Sequence, residues 1–290
     1  LIGLLIGIAR LSNNYLIAKL AGGYIELFRN IPILLQILFW YNLFINVFPH
    51  PKQSLAFFDI AFLNQRGLYL PKPIPEDGFI FVALAFIIGI IAAYFIRKFF
   101  KKKHELTGTH TSTWMFTLGL IVGLPVLIYF LIGSPLQFDY AVLGKFNLSG
   151  GMAVVPEFLA LTFALSVYTA TYIAEAIRSG IEAVDKGQKE AAAAIGLSPV
   201  QSLKLIVLPQ ALRVAIPPTI NQYLNLTKNS SLATVIGYPE LMSTFGGTVL
   251  NQVGQAVEIL AMAMLVYLVI SLFISLLLNY VNKKMEIQGR

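Results

Sequence analysis

Cysteine is absent from all 290 residues, which excludes disulfides, a thiolate nucleophile and any Cys-ligated metal site. Charge is scarce as well. Only 12% of residues are Asp, Glu, Lys or Arg, about half the share of a soluble domain. Hydrophobic residues make up 57% and the mean hydropathy is +0.74. A chain so poor in charge cannot cover itself with a hydrated surface, and it belongs in a bilayer. Histidine is confined to His50, His104 and His110, all read as loop positions, so no constellation of His with carboxylates points to catalysis. No GxxxxGK[ST] phosphate loop occurs, so the chain cannot bind ATP through that element.

What is present is a set of long apolar windows. Residues 78–96, 114–133 and 259–278 are free of charge, and each is about as long as the 20 residues that carry a helix through a ~30 Å hydrocarbon core. Windows 31–48 and 158–174 are nearly as long, with Gln36, Asn42, Thr162, Ser166 and Thr169 as polar intrusions. A sixth, 214–234, holds Asn221, Asn225, Lys228 and Asn229, and can sit in a membrane only if protein surrounds it. The opening "LIGLLIGIA" reads as the last turns of a span that starts upstream. A signal peptide is the competing reading, but no charged region precedes the run and no small-residue cleavage site follows. The expected architecture is all-α: one transmembrane domain over 1–290, N-terminally incomplete, with about six full spans plus a partial one.

Lys and Arg placement predicts the topology. Arg97, Lys98, Lys101, Lys102 and Lys103 fall in one loop; Arg178, Lys186, Lys189, Lys204 and Arg213 in another; Lys283, Lys284 and Arg290 in the tail. These are alternate loops, as the positive-inside rule requires of cytoplasmic segments. The opposite loops, 49–77 and 134–157, hold the sparser set Lys52, Arg66, Lys72 and Lys145. The formal net charge of +7 is thereby explained without nucleic acid. The proline-bearing stretch 49–77 reads as an irregular outer connection.

Between two hydrophobic spans lies "KEAAAAIGLSPVQSLKLIVLPQ", a water-compatible helical hairpin over 181–208. The alanines predict a helix over about 181–195, stopped by Gly196 in the left-handed region. Ser198, Pro199 and Gln201 then read as N-cap, first turn and N3 of a second helix, a capping box that places Val200, Leu203 and Val207 on one face and ends before Pro209.

These residues carry a resemblance. Glu190-Ala191-Ala192, three residues, Gly196, nine residues, Ile206, one residue, then Leu208-Pro209 matches without a gap the EAA coupling loop of bacterial ATP-binding-cassette importer permeases. Around it, "GGYIELFRNIPILLQILFWYN", "GGMAVVPEFLALTFALSVYTATYIAEAIRSGIEAVDKGQ" and "LNLTKNSSLATVIGYPEL" resemble the polar amino-acid uptake branch of that family. The chain departs from the compact members by the inserted helical pair at about 78–133, and in this it is similar to the longer glutamate/glutamine/aspartate/asparagine and general L-amino-acid permeases. The resemblance implies a type I importer in the bacterial inner membrane, with hairpin and C-terminus cytoplasmic. It implies a second, non-identical permease chain, a dimer of ATPases that hold ATP and Mg, an extracytoplasmic amino-acid-binding protein, and no cofactor in this chain. It assigns ATPase coupling to Glu190, Ala191, Ala192, Gly196, Leu208 and Pro209.

A substrate path is read from the residues themselves. Asn221, Asn225 and Lys228 or Asn229 recur at helical spacing and share a face; Ser166, Thr169 and Tyr172 form a second polar stripe, with Glu157 at its outer mouth. Lys228 could meet a substrate carboxylate and Glu157 an ammonium group, whereas the alternative is that these stripes join helices to one another. Glu175 and Arg178, at i and i+3, read as a helix-end ion pair. Among other classes, a secondary amino-acid transporter would need no hairpin, and a channel would need a repeated selectivity element that is not evident.

Overall fold

Where proline or glycine interrupts an apolar run, one helix stops and the next begins. A computed structural model describes residues 1–108, 112–144 and 147–285. Its elements, in chain order, begin with helices α1 (Ile2–Arg10), α2 (Tyr15–Asn30) and α3 (Ile33–Val47), then strands β1 (Leu55–Phe57), β2 (Ala61–Asn64), β3 (Gly67–Leu70) and β4 (Lys72–Pro75). Helices α4 (Phe79–Thr107), α5 (Trp114–Leu118) and α6 (Leu124–Leu131) follow, then strands β5 (Leu136–Asp139), β6 (Val142–Leu143), β7 (Leu148–Ser149) and β8 (Met152–Val154). The chain closes with α7 (Pro156–Glu182), α8 (Lys186–Ala194), α9 (Pro199–Ser202), α10 (Leu208–Asn229), α11 (Leu250–Val253) and α12 (Ala256–Met285). Wide π turns join α5 to α6 at Gly119–Gly123 and α9 to α10 at Leu203–Val207, and a third, Ser243–Val249, leads into α11. His110, Lys145 and Arg290, and the side chain of Lys284, lie outside the described residues.

Among the described residues, five helical runs are long and apolar enough to cross a membrane: Phe79–Thr107, Trp114–Leu131, Pro156–Glu182, Pro199–Ile236 and Ala256–Tyr280. The pair α2 and α3, bent by 103°, can supply a sixth. This differs from a straight span over 31–48, because α3 alone has 15 residues and reaches only about 22 Å. The bend falls at Arg29-Asn30-Ile31-Pro32, where Pro32 has no N–H to offer the Phe28 carbonyl. Gln36 replaces it. Its side chain is 4% exposed, and its Nε2 donates to the carbonyls of Phe28 (2.8 Å) and Ile31 (2.9 Å). Asn42 instead turns back onto its own helix, bonding the Leu38 carbonyl.

The described chain divides into two compact units. The first comprises Leu1–His50, Asn64–Leu68 and Val154–Arg290. Its central element is α7, half of whose apolar window is buried within the chain. Small residues let neighbouring helices come close. A Cβ added at Gly3 or Gly7 of α1 would stand 2.8 Å from the carbonyl oxygens of Ala170 and Ala174, and one added at Gly180 would stand 2.5 Å from that of Ala211 on α10. These are the small-xxx-small contacts that dispersion favours between helices in lipid. Ile37, Ala160, Leu161, Ala164, Leu165, Ala233 and Ile236 form the buried core, flanked by Trp40 edge-on to Phe163 at 4.5 Å.

The second unit comprises Pro51–Leu63 and Tyr69–Ala153. Helix α4 lies against the α5–α6 run so closely that a Cβ on Gly89 would stand 2.2 Å from the Leu120 carbonyl oxygen in the π turn. α4 continues to Thr107, so His104 is helical rather than in a loop. The stretch 49–77 is not irregular either. It contributes short strands, with β1 antiparallel to β2 through the pairs Leu55–Leu63, Ala56–Phe62 and Phe57–Ala61, and a ribbon of β4 with β5. In that ribbon Lys72, Pro73, Ile74 and Pro75 stand opposite Asp139, Phe138, Gln137 and Leu136, and a strand with a partner on one side only can carry prolines where a central strand cannot. Prolines that look like loop punctuation are here compatible with an edge. Tyr69, Ala141 and Leu148, with Phe62 against them, form the small core beneath these strands.

Candidate coupling and translocation site

The hairpin is specified at each junction by local hydrogen bonds. The first helix does not run unbroken from 181 to 195, because α7 carries on to Glu182 and the helix is interrupted by a turn at 183–185. Asp185 then caps α8, its Oδ1 accepting from the Gly187 N–H at 2.6 Å. At the other end, the N–H of Gly196 donates to Ala193 O at 3.0 Å and that of Leu197 to Ala192 O at 3.1 Å, the paired bonds of a Schellman cap. Gly196 has φ +79, and a Cβ placed on it would touch nothing within 4 Å. Its requirement is therefore conformational. The capping box of α9 is complete: Ser198 N–H donates to Gln201 Oε1 at 2.9 Å and Gln201 N–H to Ser198 Oγ at 3.4 Å.

The second helix does not end before Pro209. The π turn Leu203–Val207 carries it directly into α10, with Leu208 N–H reaching back to Leu203 O. Widening of the helix absorbs the donor that Pro209 lacks. It also shifts the helical phase, so that Val207 is buried while Val200 and Leu203 stay exposed rather than sharing its face. Val207 packs with Val184 and Ala211, and Ile181 lies against them, anchoring both arms of the hairpin to the bundle. Arg178 pairs with Glu175 and with Glu182, stiffening the end of α7 that leads into α8.

Of the residues assigned to coupling, Glu190, Ala191, Gly196 and Leu208 are exposed, Pro209 is half-buried and Ala192 is buried at 2% exposure. The exposed set continues into Ile195 (75% exposed), Val200 and Leu205. This is a rigid, firmly anchored surface of small and apolar groups with one carboxylate. It suits a protein groove better than water.

The polar stripes separate differently. Asn221, Asn225 and Lys228 are exposed along one side of α10, with Asn229 half-buried beside them. On α7, Ser166 is exposed, Thr169 is buried and Tyr172 is half-buried with its hydroxyl 2.9 Å from that of Tyr168, so these three do not form one continuous surface. Tyr168 was not singled out from the sequence, although its i, i+4 spacing to Tyr172 would have paired them. Glu157, in the first turn of α7, accepts a hydrogen bond from the Tyr41 hydroxyl at 3.1 Å.

Glu240 also escaped the sequence reading. Its carboxylate accepts from the Thr234 hydroxyl, from the N–H groups of Met242 and Ser243 at 2.7 Å each, and from the Tyr267 hydroxyl at 2.9 Å. Ser243 Oγ accepts from Glu240 N–H in return, a reciprocal cap legible as Pro-Glu-x-x-Ser before a helix. Burial pushes this carboxyl up, but the hydrogen bonds to its ionised form outweigh that and hold it below the usual carboxylate range.

A family profile for binding-protein-dependent transport system inner membrane components matches residues 85–287. The chain is 52% identical over its whole length to YhdX, a putative amino-acid ABC transporter permease protein of Escherichia coli (strain K12), covering 74% of that protein. It is 51% identical over its whole length to AapQ, the general L-amino acid transport system permease protein of Rhizobium johnstonii, covering 72% of it. It is 40% identical over 98% of its length to BztB, the glutamate/glutamine/aspartate/asparagine transport system permease protein of Rhodobacter capsulatus. The crystal structure of an amino acid ABC transporter with histidines superposes with a TM-score of 0.54 at 19% identity, over 98% of this chain and 83% of that one, a likeness of fold. The chain therefore belongs to the binding-protein-dependent transport system inner membrane components, as a multi-pass permease subunit whose family works with a separate ATPase and a binding protein.

Proposed function

We propose that the chain is the permease of an ATP-driven amino-acid importer and that its hairpin transmits the work of partner ATPases. The observation that carries this is the anchored surface of α8 and α9. A motif-bearing element with exposed small and apolar groups, fixed to the bundle through Val184, Val207 and Ala211, is built to push on a partner and to move the bundle with it. The amino-acid cargo is read from the relatives, whose names specify amino acids over the full length of this chain.

The same reading places the hairpin and the C-terminus on the cytoplasmic side, in agreement with the Lys and Arg distribution. A second permease chain, not identical to this one, would cover the exposed Asn221, Asn225 and Lys228 face of α10, because amides and an ammonium facing lipid are costly. Between two such faces lies the proposed route, with Lys228 toward a substrate carboxylate and Glu157 attracting an ammonium group at the outer mouth. ATP and Mg are held by the ATPase subunits. Binding of ATP closes the ATPase dimer, the hairpins ride with it, the cavity opens outward to a docked binding protein, and hydrolysis resets the cycle.

The test is binding-protein-dependent uptake and ATP hydrolysis in proteoliposomes holding the whole complex, with Gly196→Val and Glu190→Lys beside the unaltered chain. The expected result is normal assembly with joint loss of uptake and stimulated hydrolysis. Uptake at the unaltered rate in both variants would remove the coupling role.

A further inference from the structure

At the end of α7 that leads into the hairpin there is a strongly polar cavity of about 270 Å³, lined by residues of α1, α2 and α7. Arg178 is saturated within it, since its guanidinium already meets Glu175 and Glu182. Three other charged groups line the cavity without a direct ion pair, and two of them, Arg10 and Arg29, act on the Glu175 carboxylate only at longer range. Arg10, Arg29 and Glu26 make no ion pair among the described residues, and only Arg10 has a polar contact, to the Ala18 carbonyl at 3.1 Å. The Arg10 guanidinium is laid across Gly22, where an added Cβ would stand 2.6 Å from its Nη1, so the absent side chain is what admits it. Neither the substrate path nor the coupling surface uses any of these groups.

We infer that this cavity is a binding site for a small zwitterion with a primary ammonium group and an oxyanion. Arg10 and Arg29 would take the oxyanion and Glu26 the ammonium. A plain anion is the poorer fit, because it would meet the carboxylates of Glu26 and Glu175 as well as the guanidinia. The volume lies just under the range of ordinary small-ligand pockets and suits a group the size of an amino acid. Two sources offer this chemistry: a free amino acid on the side of the membrane where product is released, and the phosphoethanolamine headgroup of a lipid. In the first case the site lets accumulated product act back on the permease, an inference that rests on the importer reading above; in the second it fixes the α2 elbow to the bilayer.

The experiment is binding to the intact complex in nanodiscs, comparing the unaltered chain with Arg29→Gln and Glu26→Gln, both at exposed positions. One arm uses phosphatidylcholine discs with labelled L-glutamine. The other uses discs containing phosphatidylethanolamine and reads the lipid retained after exchange into phosphatidylcholine. Loss of one charge-assisted contact should weaken the zwitterion by about tenfold or more in each variant. Dependence in the first arm identifies the free amino acid, and dependence in the second the lipid. Unchanged binding in both arms, or weakening in Arg29→Gln without weakening in Glu26→Gln, overturns the inference. Import assayed on the same unaltered complex is a separate readout, so absence of import would count against the importer reading and leave the binding result standing.

Discussion

Gly196 and Glu240 show how much one residue can decide in a helical membrane protein. Gly196 sits in the left-handed region with open space around it, so any penalty on substitution comes from the backbone. Placing an L side chain there costs about 1–2 kcal/mol, and more for a β-branched one, whereas Asn visits that region readily. Gly196→Val should therefore abolish stimulated ATP hydrolysis while Gly196→Asn retains most of it, measured on complexes of equal subunit content. Glu240 works through charge. Its lowered pKa means that its contribution to stability is fully present above the unfolded value near 4.3 and is lost as pH falls through the lower folded value. Thermal unfolding in detergent should show Glu240→Gln less stable than the unaltered chain at neutral pH. The gap should close as the pH falls through and below the lowered folded value.

At the scale of elements, the decisive contacts are those in which a backbone stands where a side chain would otherwise be. Gly180 brings α7 against α10 directly beside the hairpin anchor, and its added Cβ would meet backbone that cannot swing away. Gly180→Ala is expected to cost about 1–3 kcal/mol by overpacking and to loosen the hairpin. Gly23 on α2 meets nothing within 4 Å, so Gly23→Ala should be neutral or stabilising by roughly 0.5–1 kcal/mol through helix propensity. Melting temperatures of the two variants, recorded side by side, separate packing from propensity. The elbow between α2 and α3 depends on Gln36 in the same local way. Gln36→Leu leaves the carbonyls of Phe28 and Ile31 without their donor, and should lower stability by about 1–3 kcal/mol in the same assay.

For the whole molecule, orientation is the property most easily tested, and the missing cysteines make the test clean. These 290 residues carry no thiol, so a single cysteine introduced among them reports its own side of the membrane. Lys102→Cys, at the basic end of α4, should react with an impermeant maleimide only from the cytoplasmic side, and Phe58→Cys, in the turn after β1, only from outside. The reverse pattern would contradict the orientation drawn from Lys and Arg, and with it the placement of the hairpin beside ATPases.

The sequence by itself determined the class, the number of apolar runs and the hairpin. Composition decides which solvent a chain can face, and caps such as Ser198 with Gln201 or Gly196 after the alanines act over a single turn. Pro32 removes a donor wherever it stands, but that the chain turns there by 103° instead of continuing as a span over 31–48 was decided by the tertiary structure. Tertiary structure alone decided which side of each helix is covered. The phase of a helix changes at a π turn, so Val207 turned inward away from Val200, and hydrophobic spacing before the turn could not report it. Ser166 and Thr169 likewise differ in burial because neighbouring helices cover one and leave the other open. The gathering of Arg10, Glu26 and Arg29 near Glu175 and Arg178 joins residues far apart in the chain, and only the packing of α1 and α2 on α7 brings their charges to one cavity.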